Sequence, residues 1–237
     1  MKSWQADQIR LVKGAASGEN AFAAITVEAR ALGFEFASFG IKSPVPLASP
    51  RVAWCSNYPE EWKRVYESRQ YIRQDPSVAH ALISDEPIIW TDALFAACPE
   101  LRAEARQHGL MHGVALPRRD AQGMVSLLTL ARREPEILDE ELRSKVERLQ
   151  WLSYLCHEGI IRHWMPSLYG PVGDDLSGRE LEVLRWSCDG LTASETAEIL
   201  FLSEATVNFH MRSACRKLGT RNKTSAAVRA AMMGLLS

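Results

Sequence analysis

Three aromatic side chains and one carboxylate between residues 57 and 76 could together bind a polar molecule. In the segment NYPEEWKRVYESRQYIRQDP, Tyr58, Trp62 and Tyr66 are spaced four residues apart, and Asp75 stands before a proline. Four residues is a helical step, so the rings form a stripe on one side of the predicted helix. Periodicity alone favours a stripe in the hydrophobic core. The carboxylate favours a ligand pocket, because a buried acid among aromatic rings needs hydrogen-bond donors.

The composition is typical of a globular protein in a reducing compartment. The chain has 237 residues, of which 46% are hydrophobic and 24% charged, enough for one large domain or two modest ones. Its five cysteines are scattered without a C-x-x-C pair, which argues against a disulfide framework and a zinc site. No apolar run approaches the ~20 residues of a membrane span, and MKSWQADQIR shows no export signal. We therefore expect a cytoplasmic protein without membrane association.

The sequence from position 1 to position 167 predicts a mixed α/β domain. Short strands bounded by Gly, Pro or Asp are predicted at FEFASFGI, RVAWCS, EPIIW, HGVALP and MVSLLTLA, with a hairpin turn between the last two. Helices are predicted at ENAFAAITVEARAL, at LFAACPELRAEARQHG and, from apolar residues at helical spacing, at Ile137–Trp164. Strands flanked by helices at both ends favour an α–β–α sandwich with an antiparallel sheet.

The charge of the chain changes sign near position 205. The segment 174–204 holds eight acids and two bases, whereas the segment 205–237 holds six bases and no acid. Charges on short helices often only face solvent, but a segment without acids is typical of a surface that faces phosphates. Two prolines and two glycines interrupt HWMPSLYGPVGDD just upstream. We therefore predict a ligand-binding domain at 1–167, a linker at 168–175 and a DNA-binding domain at 176–237.

The last domain is predicted to be an all-α, four-helix helix-turn-helix. Hydroxyl residues mark the four helix starts, at Ser177, Thr192, Ser203 and Thr224. A glutamate follows each of the first two starts at the spacing of a capping box, in which hydroxyl and carboxylate satisfy each other's backbone N–H groups. The third helix stops at Gly219. Its predicted apolar stripe is Val207, Met211, Ala214 and Leu218.

The third helix also offers side chains that could contact DNA. Asn208 can bond adenine in two directions at once, so Asn208 and Glu204 are the candidates for base recognition. Thr206, Arg212 and Lys217 are interpreted mainly as phosphate contacts. Asn208 taken singly would be an ordinary exposed residue, but the charge and helix patterns together favour DNA. The full set of predicted DNA-binding residues is Thr192, Ser203, Glu204, Thr206, Asn208, Arg212, Arg216, Lys217 and Lys223.

The segment LSGRELEVLRWSCDGLTASETAEILFLSEATVNFHMRSACRKLG resembles the DNA-binding domain of LuxR-type regulators. The likeness covers roughly the C-terminal quarter of the chain. Glu180, Leu184 and Gly190 stand where that family keeps a helix-fixing acid, a core leucine and a turn glycine. Leu191 stands where lysine is common, which removes one expected phosphate contact. Because the motif occurs behind many sensor domains, it does not name the signal.

The segments GFEFASFG, NYPEEW, IIW and HGLMHGVALP resemble the acyl-homoserine-lactone pocket of LuxR-type quorum-sensing receptors, most closely the LasR and QscR branch. The matching signature positions are Trp62, Tyr66, Asp75, Pro76, Trp90 and Gly113. The resemblance implies that Trp62 donates to the lactone carbonyl, Asp75 accepts from the ligand amide and Tyr58 donates to the amide carbonyl. Trp90 and Tyr66 would form apolar walls. Thr129 or Ser77 would assist at the amide or at a 3-oxo group.

Room for an acyl chain is predicted along the first strand. In FEFASFGI, alternation places Ser38 and Gly40 on the same face as Phe34 and Phe36. A strand glycine often marks a close approach to the backbone, so Ser38 and Gly40 could make space for a medium or long chain. Simple packing against a helix explains this pattern equally well.

Other classes of protein have weaker support. A phosphorylated receiver domain would need an acidic cluster and a phosphoacceptor Asp near position 55, where the sequence reads AWCSNY. A lactone-degrading or acyl-transferring enzyme would lack any familiar catalytic motif, so no catalytic residue is assigned. His108 and His112 are interrupted by Gly109 and have no evident third ligand, so no metal site is predicted.

The sequence as a whole predicts a ligand-responsive transcription regulator rather than an enzyme. The expected partners are an N-acyl-homoserine lactone, a palindromic double-stranded DNA site and a second copy of the chain. No cofactor is expected. The long helix Ile137–Trp164 is the candidate for part of the dimer surface. The acyl length, the oxidation state at the 3-position, the operator and the sign of regulation are left open.

Overall fold

A five-stranded antiparallel sheet lies in the N-terminal part of the computed structural model, which describes residues 3–46, 48–169 and 175–236. Its strands are β1 (Phe36–Lys42), β2 (Val52–Ser56), β3 (Ile88–Ile89), β4 (His112–Arg119) and β5 (Val125–Arg132). They run in the order β2-β1-β5-β4-β3, each antiparallel to its neighbour. The five predicted strands are confirmed. The predicted hairpin joins β4 to β5 through Gly123, whose φ of 76° favours glycine.

Six α-helices accompany the sheet among the described residues. They are α1 (Ser3–Lys13), α2 (Gly18–Ala31), α3 (Glu60–Ser68), α4 (Pro76–Ala81), α5 (Pro99–Gln107) and α6 (Asp139–Tyr169). The predicted helix start at Leu94 is wrong, because residues 92–97 form turns and α5 begins at Pro99. Proline suits the first helical position, where its missing N–H needs no partner. Helix α1 was not predicted.

The two faces of the sheet pack against different helices. On one face of β1, Phe39 is fully buried and its ring centroid lies 6.0 Å from that of Trp164 in α6. On the other face, Phe36 belongs to an apolar cluster with Trp62 of α3 and residues of α5. Helices therefore cover both faces, which confirms the predicted α–β–α sandwich.

A buried ion pair joins the end of β5 to the start of α6. The Arg132 guanidinium, in a side chain 4% exposed, donates two hydrogen bonds to the Glu141 carboxylate. Bonds from Arg132, and then from Lys145, hold the pKa of Glu141 at about 2 against the opposing effect of burial. Arg132 also lies over the ring of Phe34. Because Phe34 precedes the first residue of β1, the predicted alternation that put Phe34 on the same face as Phe36 does not hold at Phe34.

Four helices form the C-terminal module, as predicted: α7 (Gly178–Cys188), α8 (Ala193–Leu200), α9 (Glu204–Lys217) and α10 (Lys223–Met232). Both predicted capping boxes are present, at Ser177 and at Thr192. The α9 stripe is buried at Val207, Ala214 and Leu218, and partly buried at Met211. Asn222, rather than Thr224, caps α10, because an asparagine side chain accepts from the helix N–H groups at least as well as threonine.

The chain divides into two compact units. The first contains Met1–Lys42, Val52–Asp120 and Met124–Trp164, and the second contains Ser43–Arg51, Ala121–Gly123 and Met165–Ser237. The predicted linker at 168–175 overlaps α6, because Leu168 and Tyr169 are buried residues of that helix. Its residues 170–174 lie outside the described residues, so the predicted domain boundaries stay a prediction.

Replacing Arg132 by Met should destabilise the N-terminal unit strongly. The change removes both guanidinium bonds and leaves the partly buried Glu141 with Lys145 as its remaining charged partner, so it should lower the free energy of unfolding by about 2–3 kcal/mol, the low end for a broken buried pair. The matched control is Arg133→Met, because the Arg133 side chain is 60% exposed in its pair with Glu35 and should matter by about 1 kcal/mol or less. Urea unfolding can be followed by tryptophan fluorescence, since six of the seven tryptophans precede position 165. Equal losses in the two variants would contradict the assignment.

Candidate functional site

Trp62 lies at the centre of a cluster of aromatic rings. Its side chain on α3 is 3% exposed, and Tyr66 follows one helical turn later. The Trp62 ring centroid lies 5.7 Å from that of Tyr66, 6.1 Å from that of Tyr71 and 5.6 Å from that of His108. Tyr58 contacts the same cluster, with its ring 6.3 Å from that of Phe36. The predicted aromatic stripe is therefore brought together in the interior.

Asp75 caps the short helix α4 beside this cluster. Its carboxylate accepts the backbone N–H of Ser77 at 2.8 Å and the hydroxyl of Tyr66 at 2.9 Å. The role of an apolar wall expected for Tyr66 is thus incomplete, because its hydroxyl is the partner of Asp75. Burial raises the pKa of Asp75, and the bonds from Ser77 and Tyr66 oppose that shift. The fold therefore holds an acid where ionisation is costly.

Trp90 is fixed by one hydrogen bond and one close packing contact. Its indole N–H donates to Ser77 Oγ at 2.9 Å. Its ring lies against Gly113 of β4, where an added Cβ would lie 2.4 Å from a carbon of the indole. The hydroxyl of Ser77, expected to assist a ligand, is therefore also the support of Trp90. Through Ser77, Trp90 is connected to the Asp75 cap.

Two donors near Asp75 make no hydrogen bond within the part of the chain that the structure describes. They are the hydroxyl of Tyr58 and the indole N–H of Trp62, whose contacts there are ring contacts. Burial, and then the charge of Asp75, raises the pKa of Tyr58, so its hydroxyl stays protonated at neutral pH. The site thus contains one acceptor and two available donors among aromatic rings.

Small side chains lie on the Phe36 face of the sheet. Ser38 of β1 pairs with Ser56 of β2 on one side and with Thr129 of β5 on the other. Gly40 is half-buried, and a Cβ added there would meet one heavy atom within 4 Å, the Cβ of Trp54 at 3.8 Å. Gly40 therefore has free space above it, which supports the expectation of room for a chain.

Two residues of this region were not predicted from the sequence. Tyr71 packs on Trp62 from a 3₁₀ turn and donates its hydroxyl to Glu104 at 2.9 Å. Arg102 of α5 is 5% exposed and lies over the rings of Trp90 and Phe95. Neither falls on the four-residue stripe. The signal that could have found Arg102 is its position beside Leu101 on the buried side of α5.

The predicted DNA-binding residues differ in what they do within the C-terminal module. Thr192 and Ser203 are N-caps, and the Ser203 hydroxyl also bonds that of Thr206 at 2.8 Å. These three therefore fix the starts of α8 and α9, besides any contact with DNA. The exposed members of the set are Thr192, Ser203, Glu204, Asn208, Arg212, Arg216 and Lys223.

Lys217 has a structural partner in place of a free ammonium group. Its Nζ donates to Glu180 Oε2 at 2.9 Å and to the Asp175 carbonyl at 2.9 Å, and the Lys217 side chain is 19% exposed. Burial by itself raises the pKa of Glu180, but bonds from Ser177 and Lys217 outweigh it and hold the pKa at about 2. The ammonium therefore neutralises a buried acid within its own module, and the phosphate contact expected of Lys217 stays a prediction.

Comparisons with known proteins match both parts of the chain. The family model "Autoinducer binding domain" matches residues 17–160, and "Bacterial regulatory proteins, luxR family" matches residues 174–230. The chain belongs to the LuxR family of transcription regulators. The finer resemblance to the LasR and QscR branch stays a prediction.

Similarity to LuxR-family relatives extends over the whole chain. The transcriptional activator protein AnoR of Acinetobacter nosocomialis is 34% identical over 238 residues, which cover 100% of each chain. The regulatory protein SdiA of Escherichia coli is 34% identical over 243 residues, covering 99% of this chain and 97% of the relative. A structure of SdiA in complex with octanoyl-rac-glycerol has a TM-score of 0.85 and 31% identity, covering 99% of this chain and 96% of the other.

The LuxR family assignment fixes the general class of function. The N-terminal part is an autoinducer-binding domain and the C-terminal part a DNA-binding helix-turn-helix, so this LuxR-family chain is a ligand-responsive regulator of transcription and not an enzyme. Its signal is a small molecule rather than a cofactor. Among the described residues, no helix has both the length and the apolar character required to cross a membrane.

Replacing Asp75 by Asn tests the cost of the buried acid. Because burial raises the pKa of Asp75 above its ordinary value of 3.8, the folded chain binds more protons than the unfolded chain, so ionisation of Asp75 lowers stability as pH rises above 3.8. Asparagine keeps the cap without this dependence. The melting temperature of wild type relative to Asp75→Asn should therefore fall as pH rises from 3.8 to the folded-state pKa of Asp75, and should level off above that pKa. The exposed Asp85→Asn serves as control, and parallel profiles for Asp75→Asn and wild type would contradict the assignment.

Adjacent residues on α9 allow a matched test of charge roles. Lys217→Met should destabilise the C-terminal module by on the order of 3 kcal/mol, because it leaves Glu180 buried without its partner. Hydrogen exchange should then accelerate in α7 and α9. Arg216→Met should leave exchange unchanged but reduce the dependence of log DNA affinity on log salt by about 0.9 for one lost phosphate contact. Identical behaviour of the two variants would refute the division of roles.

Proposed function

We propose that this LuxR-family chain is a receptor for an N-acyl-homoserine lactone that regulates transcription by binding DNA as a homodimer. The observation that carries the proposal is the set of polar groups around Asp75. One acceptor and two donors without partners among the described residues, Tyr58 and Trp62, lie in an aromatic interior. An acyl amide with a neighbouring ester supplies the complementary groups.

Each polar group has one assignment in the proposed complex. Trp62 donates to the lactone carbonyl, Tyr58 donates to the amide carbonyl, and Asp75 accepts the amide N–H. Asp75 already accepts hydrogen bonds from the Tyr66 hydroxyl and the Ser77 N–H. A carboxylate has about four lone-pair sites, so an acceptor position remains for the ligand. Trp90, held by Ser77, and Tyr66 enclose the head group. A ligand without the amide N–H would leave Asp75 with an unused acceptor in a buried place.

The acyl chain is assigned to the small-residue face of the sheet. Ser38 and Thr129 pair across β1 and β5, and Gly40 has space above it. A chain of medium or long length would fill this space with apolar contacts, while the hydroxyls of Ser38 and Thr129 could bond a 3-oxo group. Filling an interior space favours the folded state, so binding would stabilise the N-terminal domain, proposed at 1–167, by mass action.

The DNA part of the proposal rests on α9 and on two-fold symmetry. Glu204 and Asn208 are exposed on α9 and are assigned to bases, while Arg212, Arg216 and Lys223 are assigned to phosphates. A homodimer would present two such helices to a palindromic site with half-sites one or two helical turns apart. Part of α6 is the candidate for the dimer surface. The regulator would act in the cytoplasm, where its operator is accessible.

The deciding experiment identifies the ligand without choosing it in advance. The protein is purified from cells supplied with a mixture of N-acyl-homoserine lactones of different length and oxidation state, and the bound molecule is identified by mass spectrometry. We expect one lactone, bound intact, that raises the melting temperature and the affinity for an operator. Tyr58→Phe removes one donor with little change of shape, and Trp62→Phe removes the other donor together with part of the indole ring; each should weaken binding about tenfold or more.

Three results would overturn the proposal or a part of it. Equal melting temperature and equal DNA affinity with and without every lactone would refute the ligand assignment. Recovery of a hydrolysed or otherwise altered lactone after incubation would instead indicate an enzyme. A monomer on operator DNA by light scattering would refute the homodimer separately from the ligand.

A further inference from the structure

Arg102 carries a buried positive charge whose hydrogen-bonding capacity is only partly used. Its side chain on α5 is 6% exposed. Its Nε–H donates to Asp92 Oδ1 at 3.4 Å, a long contact with a carboxylate that is 71% exposed. Its Nη1 is buried and has no hydrogen-bond partner among the described residues. A buried guanidinium in this state is costly unless another acceptor reaches it.

Asp92 does not compensate Arg102 fully, because it is shared. Arg106, one turn later on α5, donates to the same Asp92 oxygen at 2.6 Å. The shorter bond thus goes to Arg106, whose side chain is 39% exposed. Burial, and then the charge of Arg106, lowers the pKa of Arg102. Of the two guanidinium groups, the more deeply buried one has the longer bond to their shared partner.

Arg102 is also close to the proposed head-group end of the site. Its Cζ lies 5.4 Å from the ring centroid of Phe95 and 6.0 Å from that of Trp90. Phe95 and Trp90 pack in the same cluster as Trp62. Trp90 in turn donates a hydrogen bond to the hydroxyl of Ser77, whose backbone N–H donates to the Asp75 carboxylate. Arg102 therefore adds a charged donor to the surroundings of the polar groups around Asp75.

We propose that Arg102 is a specificity-determining residue of this receptor, whose Nη1 donates to an oxygen of the ligand head group. The inference rests on the proposed function, and it adds the chemistry that the head group must have. A head group with a carbonyl or carboxylate oxygen completes the guanidinium, whereas one without oxygen leaves it unpaired. A carboxylate gains more than a carbonyl, because it also compensates the charge.

Three ligands that carry the same acyl chain but differ in the head group test which oxygen Arg102 recognises. They are the N-acyl-homoserine lactone, its ring-opened N-acyl-homoserine, which bears a carboxylate, and the N-acyl-cyclopentylamine, which has a ring without oxygen. Dissociation constants are measured by titration of tryptophan fluorescence for the full chain, for Arg102→Met and for the control Arg106→Met. Arg102→Lys, which keeps the charge without the planar fork, is measured as well.

The expected result is a loss that depends on head-group oxygen. Arg102→Met should weaken the two oxygen-bearing ligands by about tenfold to a hundredfold, more for the carboxylate, and change the cyclopentylamine by about threefold or less. Arg102→Lys should fall between wild type and Arg102→Met. Arg106→Met should leave all three unchanged. Within wild type, the two oxygen-bearing ligands should bind more tightly than the cyclopentylamine.

Other outcomes would overturn the inference in distinguishable ways. An equal loss for all three ligands would show that Arg102 only packs against Trp90 and Phe95. If Arg102→Met does not fold, equal affinity of wild type and Arg102→Lys for all three ligands would refute the role. If wild type binds none of the three, the proposed function fails, and the role of Arg102 fails with it.

Discussion

The carboxylate of Asp75 can occupy an aromatic interior only because the fold brings hydrogen-bond donors to it. Burial alone would favour its neutral form, and the Tyr66 hydroxyl and the Ser77 N–H counter that tendency. These contacts also determine the positions of the elements around it. Tyr66 belongs to α3, and Ser77 belongs to α4, the helix that Asp75 caps. One acid therefore fixes two helices relative to each other.

The same constraint extends from α4 to the sheet through Trp90. The indole is bonded to Ser77 on one side and packed against the backbone of Gly113 in β4 on the other. A side chain at position 113 would push the ring away from the sheet, so glycine there preserves the distance between β4 and α4. Tyr58 and Trp62 provide the polar groups that remain available. They are held by ring contacts with Phe36 and Tyr66 rather than by hydrogen bonds of their own. Such preorganisation reduces the ordering that a ligand must cause.

Local patterns in the sequence predicted local structure well. The four-residue spacing of Tyr58, Trp62 and Tyr66 predicted the α3 stripe, and hydroxyl–glutamate spacings predicted two capping boxes that the structure contains. Contacts between distant segments were not predictable, because they depend on how elements meet. No spacing indicates that the Tyr66 hydroxyl bonds Asp75 or that Arg102 lies over Trp90. The start of α5 was also predicted wrongly, although its signal is local: residues 92–97 form turns, and Pro99 suits the first helical position.

The C-terminal charge pattern shows why composition overstates the charge available to DNA. The segment 205–237 holds six bases, but two of them are used inside their own unit. Lys217 neutralises Glu180, and Arg229 donates to the carbonyl of Tyr169. The acid-rich and base-rich segments are thus partly paired with each other through Lys217 and Glu180, and this ion pair stabilises the module. The exposed cations that remain, Arg212, Arg216, Arg221 and Lys223, lie on or beside α9 and α10. Any phosphate-facing charge of the segment 205–237 is therefore expected to come mainly from these four. Arg212 and Arg216 lie on α9 together with Asn208, so their charge is on the helix proposed to recognise bases.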